Sequence, residues 1–160
     1  MPAQTIHLIK TFGRNDQEIS LSLKQSYQPI DGKYCSMTHS HNCGVLVYSD
    51  APVGVDLEKM SPHPYLELIA KRYFTEAEIK LIVNTSNHVD TFYHLWCAKE
   101  SVFKLDNTNS VPHTEIKREG PLWCCELTNQ QRAYFHFEKF NGMLLCICSL
   151  NKEINLIKHA

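Results

Sequence analysis

The sequence predicts an α+β fold with antiparallel sheet packed against helices. Three observations predict it. Strand-like segments come first, helical segments follow, and aromatic, β-favouring segments fill the last third. The segment Val89 to Leu105 repeats Phe92, Leu95, Trp96, Lys99 and Phe103 at three- and four-residue steps, a helical period. Asn141-Gly142 stands between two β-rich runs, a strong hairpin signal.

Each element follows in order. Thr5 to Ile9 reads as a short strand. Asp16 to Gln25 stays open between helix and strand: Asp16 suits a helix cap, yet Ile19, Leu21 and Leu23 alternate. Gly44 to Ser49 reads as a strand, and Asp50-Ala51-Pro52 as a turn. Val53 to Glu58 is a second strand with Val55 and Leu57 on one face and Asp56 and Glu58 on the other. Pro62 and Pro64 open a helical region whose pattern runs from Tyr65 to Arg72. Thr75-Glu76-Ala77-Glu78 is a capping box, so a helix starts at Thr75 and runs to about Asn84. Leu122 to Leu127, Arg132 to Phe140 and Met143 to Leu150 are strands. The tail after Leu150 carries no clear pattern.

A chain of 160 residues suits one compact domain able to bury a core without disulfides. Lys plus Arg total 16 and Asp plus Glu 17, so no overall field favours nucleic acid or an anionic membrane. No apolar run approaches the length of a membrane span. The first residues lack a signal-like apolar stretch. Seven cysteines without a C-x-x-C, several in apolar strands, read as buried reduced thiols of a cytoplasmic protein.

Local charge is where chemistry must reside. Asp56 and Glu58 share one strand face, and Glu100 sits mid-helix. If that helix packs on that strand, three carboxylates converge, which is the oxygen ligand set Mg²⁺ prefers. Taken singly, the Asp-x-Glu pair reads as a solvated face, and Glu100 with Lys104 as a surface helical ion pair; neither carries function by itself. Thr38-His39-Ser40-His41 supplies donors suited to phosphate oxygens. His39, His41 and Cys43 alternate in a way that also suits a soft metal.

In combination, these segments resemble the surfactin-synthetase-activating type of phosphopantetheinyl transferase. The resemblance rests on Thr38-His39-Ser40, Gly54-Val55-Asp56-Leu57-Glu58, Trp96-Cys97-Ala98-Lys99-Glu100-Ser101-Val102-Phe103-Lys104, and the block Ala70 to Glu78 between them. It is close from Asp31 to Lys104 and looser through Asn141-Gly142. The order fits the short holo-acyl-carrier-protein synthases poorly.

The resemblance implies a single domain over 1–160, with 1–52 a reduced first half of a pseudo-twofold arrangement and 53–160 the half carrying the metal and lysine motifs. It implies transfer of phosphopantetheine from coenzyme A to a serine of an acyl, polyketide or peptidyl carrier protein, with release of 3′,5′-ADP. Asp56, Glu58 and Glu100 match the Mg²⁺ ligands. Glu100 is the expected base and Lys104 assists the leaving ADP. His39 contacts a coenzyme A phosphate, with Thr38 and Ser40 beside it. Lys99 touches the nucleotide from the side, about 100° round the helix from Glu100. Lys33, in Gly32-Lys33, is an adenine or phosphate contact. Glu78 matches a glutamate near the metal, though capping its own helix accounts for it equally. The carrier docks near Met60 to Phe74, and a second copy of the chain covers the reduced half. The rival reading is a non-catalytic relative that binds coenzyme A or a carrier protein.

Overall fold

Two tight turns and a long helix organise the chain into four layers. The computed structural model describes residues 2–26, 34–106 and 114–159. Its elements are β1 Gln4–Phe12, α1 Asp16–Ser26, β2 Tyr34–Ser40, β3 Cys43–Ser49, β4 Val53–Lys59, α2 Leu66–Tyr73, α3 Glu76–Val83 and α4 His88–Leu105. They continue as β5 Lys117–Glu119, β6 Leu122–Glu126, β7 Arg132–Phe140, β8 Met143–Ser149 and β9 Ile154–His159. The strands form two sheets, ordered β2-β3-β1-β9 and β4-β8-β7-β6-β5. Every pairing is antiparallel except β1 with β9.

The Asn141-Gly142 turn joins β7 to β8 with φ of 51° and 73°. Positive φ at both turn residues is the type I′ geometry that matches strand twist. His41 and Asn42, at 47° and 67°, make the same kind of turn between β2 and β3. The open segment at Asp16 is helical. Ile19 and Leu23 of α1 pack on Leu46, and Ile9 closes that small cluster. The tail after Leu150 becomes β9, which crosses back to the first sheet.

Alternation along β4 separates two cores. Val53, Val55 and Leu57 join Ile6, Leu8, Val45 and Val47 of the first sheet. On the opposite face of β8, Leu144, Cys146 and Cys148 join Leu95, Ala98 and Val102 of α4. The second sheet is thus covered on both faces, and β8 is buried at every position. The layer order is α1, first sheet, second sheet, α4. Phe103 points outward, and Val102 fills the core position instead.

The passage from 52 to 53 is where the chain leaves the first sheet for the second. All seven cysteines are free thiols, and Cys35 alone is exposed. Among the described residues no helix is long and apolar enough to cross a membrane.

Candidate active site

Gly54 determines how closely α4 approaches β4. A Cβ there would lie 2.0 Å from the Ser101 carbonyl oxygen and 2.8 Å from the Leu105 nitrogen. Only a residue without a side chain lets the helix backbone rest on the strand. The next residues on that strand face, Asp56 and Glu58, therefore come under the flank of α4 that carries Glu100 and Lys104. Lys104 Nζ stands 3.4 Å from Asp56 Oδ1. Asp56 is nearly enclosed, 4% exposed, and its Oδ2 is buried with no hydrogen-bond partner.

The three carboxylates lie close enough to shift one another. Burial, then the adjacent Asp56 and the Glu100 charge, push the Glu58 carboxyl up to about 8, against a small opposing pull from Lys104. Burial and Asp56 also raise Glu100, again opposed by Lys104. The Cys97 thiol lies near this group and is raised by burial first, then by Asp56, Cys146 and Glu58. One ammonium cannot balance three carboxylates in a half-closed site, so the set lacks positive charge.

That deficit is the fit test for a metal. An orphaned buried carboxylate oxygen beside two further carboxylates suits a hard, oxygen-seeking divalent cation. Among the described residues no three His, Cys, Asp or Glu side chains already close around an ion. The carboxylates are gathered but not drawn together into a coordination sphere.

Other expected residues fall elsewhere. Thr38 and His39 alternate on β2, so Thr38 is buried while the His39 side chain is 47% exposed. His39 Nδ1 is 3.4 Å from Asp16 Oδ1 at the start of α1. These two residues border a shallow cleft with Gln17, Ser20, Leu21 and Lys24. Ser40 Oγ and His41 Nδ1 are 2.9 Å apart. The soft-metal reading of His39, His41 and Cys43 fails, because Cys43 is wholly enclosed in the inter-sheet core while both imidazoles face solvent. Lys33 lies outside the described residues.

Lys99 requires a correction. Its side chain is fully buried, and its ammonium is 2.9 Å from Glu78 Oε1. It also donates to the Thr114 carbonyl at 2.7 Å. Glu78 accepts from the Thr75 nitrogen at 2.8 Å, completing the capping box, and from the Ile116 nitrogen at 2.7 Å. This knot ties α3, α4 and the strand-bound segment at 114–116. Lys99 is therefore an anchor inside the protein and not a nucleotide contact.

Sequence reasoning missed Ser36. Its hydroxyl accepts from the Val55 N–H at 3.2 Å, fastening β2 along the free edge of β4. A small hydroxyl residue at strand spacing from Thr38 was the only signal.

Comparison with known proteins gives a consistent result. The model of the 4′-phosphopantetheinyl transferase superfamily matches residues 52–143. A 4′-phosphopantetheinyl transferase of Bacillus subtilis is 31% identical over 101 residues, covering 59% of this chain and 44% of that protein. The 4′-phosphopantetheinyl transferase Sfp of Bacillus subtilis (strain 168) is 38% identical over 73 residues, covering 44% of this chain and 32% of that protein. The chain spans less than half the length of these curated relatives. Among solved structures, the holo-[acyl-carrier-protein] synthase of Thermotoga maritima is similar with a TM-score of 0.48 and 18% identity, over 61% of each chain.

Proposed function

The chain belongs to the 4′-phosphopantetheinyl transferase superfamily, and from that premise we propose that it moves 4′-phosphopantetheine from coenzyme A to a serine of an apo carrier protein. The observation that carries the proposal is the meeting of Asp56, Glu58, Glu100 and Lys104 where α4 crosses β4, with a buried carboxylate oxygen left unpartnered.

Asp56, Glu58 and Glu100 would hold Mg²⁺, which when bound supplies positive charge against the coenzyme A pyrophosphate. The remaining work falls to the protein. Glu100 is half-buried, and its raised carboxyl is a stronger base than an exposed glutamate. It takes the proton of the carrier serine hydroxyl. The serine oxygen forms a bond to the β-phosphorus, and the bond from that phosphorus to the bridging oxygen breaks, releasing 3′,5′-ADP. Lys104, one helical turn from Glu100, lies against the phosphates and offsets charge on the departing group. His39 presents an exposed imidazole to a coenzyme A phosphate, oriented by Asp16. Ser40 neighbours it, and Thr38 supports the strand from inside.

The carrier protein docks over residues 60–74 in this reading. Tyr65 and Leu68 are exposed there, and Lys71 and Arg72 in the last turn of α2 suit an acidic partner. A cleft of about 480 Å³ between α2, α3 and α4 opens beside them.

The test is a mass-shift assay with coenzyme A, Mg²⁺ and a panel of apo carrier proteins, run with the intact chain and with Glu100→Gln. A carrier gaining one phosphopantetheine mass, with the gain lost in EDTA and in Glu100→Gln, is the expected result. Coenzyme A binding without transfer to any carrier would replace this reading with a non-catalytic one.

A further inference from the structure

We propose that Ser36 is a positioning residue: its hydroxyl sets where β2 sits against β4, and so places the Thr38-His39-Ser40 segment relative to the carboxylate strand for coenzyme A to reach both. The inference rests on the transferase reading and names the residue that joins the two parts of its site.

β2 and β4 are edge strands of different sheets. They run side by side, because Tyr34 and Pro52 line one small cleft at their starts, and His41 and Lys59 another at their ends. Among the described residues no backbone ladder joins the two strands, since each pairs only within its own sheet. Apolar packing holds the sheets together, but it is non-directional and does not set a register. Polar ties from Lys10 and Lys158 to Glu138 lie on β1 and β9, at the other side of the first sheet. At the β2–β4 edge the directional contact is one side chain. The Val55 N–H points away from β8 and donates to Ser36 Oγ at 3.2 Å.

Both partners are enclosed, Val55 fully and Ser36 at 8% exposure. A buried N–H requires a partner, and water has little access here to replace the hydroxyl. Position along the chain gives this bond its consequence. Val55 immediately precedes Asp56, and Ser36 stands two residues before Thr38 and three before His39. One bond therefore ties the strand of the metal-binding carboxylates to the strand of the phosphate contact. A slip of one residue along a strand is about 3.3 Å. A ligand that must reach the carboxylate cluster and His39 together does not tolerate even a third of that shift. Ser36→Ala keeps the backbone and nearly the volume but removes the acceptor, so it isolates the bond.

The experiment is a calorimetric titration of the full chain with coenzyme A in Mg²⁺, beside amide hydrogen exchange read by nuclear magnetic resonance. In Ser36→Ala the affinity for coenzyme A should fall roughly tenfold, and the Val55 amide should exchange at least about tenfold faster. Ser36→Thr, which restores a hydroxyl, should return both within about threefold of the parent. Thr85→Ala removes a comparable hydroxyl bonded to the Ile82 carbonyl and Thr91, away from this edge, and should leave both unchanged. Circular dichroism verifies that each variant folds. In the transfer assay Ser36→Ala should raise KM for coenzyme A about tenfold with kcat within about threefold, the mark of lost ground-state binding. Parental affinity in Ser36→Ala, no rescue by Ser36→Thr, or a fall in kcat at constant KM would overturn the proposal and leave the transferase reading standing. A parent chain that does not bind coenzyme A at all would overturn both.

Discussion

Helix α4 carries two lysine–carboxylate pairs on different flanks, and they are built in opposite ways. Lys99 and Glu78 are both 0% exposed and 2.9 Å apart, and further hydrogen bonds engage each of them. Lys104 and Asp56 are 3.4 Å apart with side chains 30% and 6% exposed, and Asp56 Oδ2 has no hydrogen-bond partner. The first pair is saturated and serves as structure. The second is short of positive charge and open on one side, as the proposed metal and anionic substrate would require. Two lysines of one motif, five residues apart, thus sit in opposite environments, and satisfaction of the carboxylate partner distinguishes them.

This contrast breaks most sharply at Glu100. Glu100→Gln should lower the transfer rate by about 10²–10⁴-fold, with the stability of the protein close to that of the parent. Single-turnover kinetics beside urea unfolding tests both halves of that expectation. Lys99→Met should do the reverse. Removing one partner of a buried pair leaves an uncompensated charge, and the cost is about 3–5 kcal/mol of folding stability. The urea midpoint reads this, while turnover per folded molecule should fall far less than in Glu100→Gln. A Lys99→Met protein of parental stability would mean that the knot at Glu78 is not an anchor.

Gly54→Ala probes the contact that brings the two flanks together. The new methyl meets backbone, so α4 must lift from β4, at about 1–3 kcal/mol. Unlike the other two variants, it should lose stability and transfer rate together. A smaller effect belongs to His136 on β7, whose Nε2 is 3.1 Å from Ser149 Oγ. Burial holds its pKa below the ordinary imidazole value. The folded chain therefore keeps His136 neutral where the unfolded chain takes up a proton. Stability is lost as pH falls below about 6.5 and levels off below the depressed folded value. His136→Gln should flatten that part of the stability curve measured by thermal melting. The mildest measurement is thiol labelling of the native protein. Cys35 should react quickly and the six buried cysteines only on unfolding, their thiols raised where burial is deepest, as at Cys97, Cys146 and Cys148.

Much of this arrangement is legible in the residues, and the gaps have physical causes. The Thr75 to Glu78 capping box and the Asn141-Gly142 turn are local, and the structure has both. The convergence of Asp56, Glu58 and Glu100 follows from strand and helix periods once α4 is laid on β4. The His41-Asn42 turn is obscured because histidine is not a usual turn signal, although Asn42 adopts positive φ readily. β9 cannot be read from 154–159 alone, since its partner is near the other end of the chain. Lys99 is misread because charge suggests solvent. Its burial depends on Glu78, Thr114 and a sheet core that no local window contains.

The return of β9 to β1 also has a kinetic side. Gln4 pairs with Ile154, so this seam of the first sheet is a contact of very long sequence separation. Such closures form late and slowly, because the intervening loop entropy must be overcome first. While residues 154–159 are still to be synthesised or to dock, β1 has β3 on one side and a bare row of N–H and C=O groups on the other. A chain in that state carries an edge open to pairing with strands of other molecules until β9 docks.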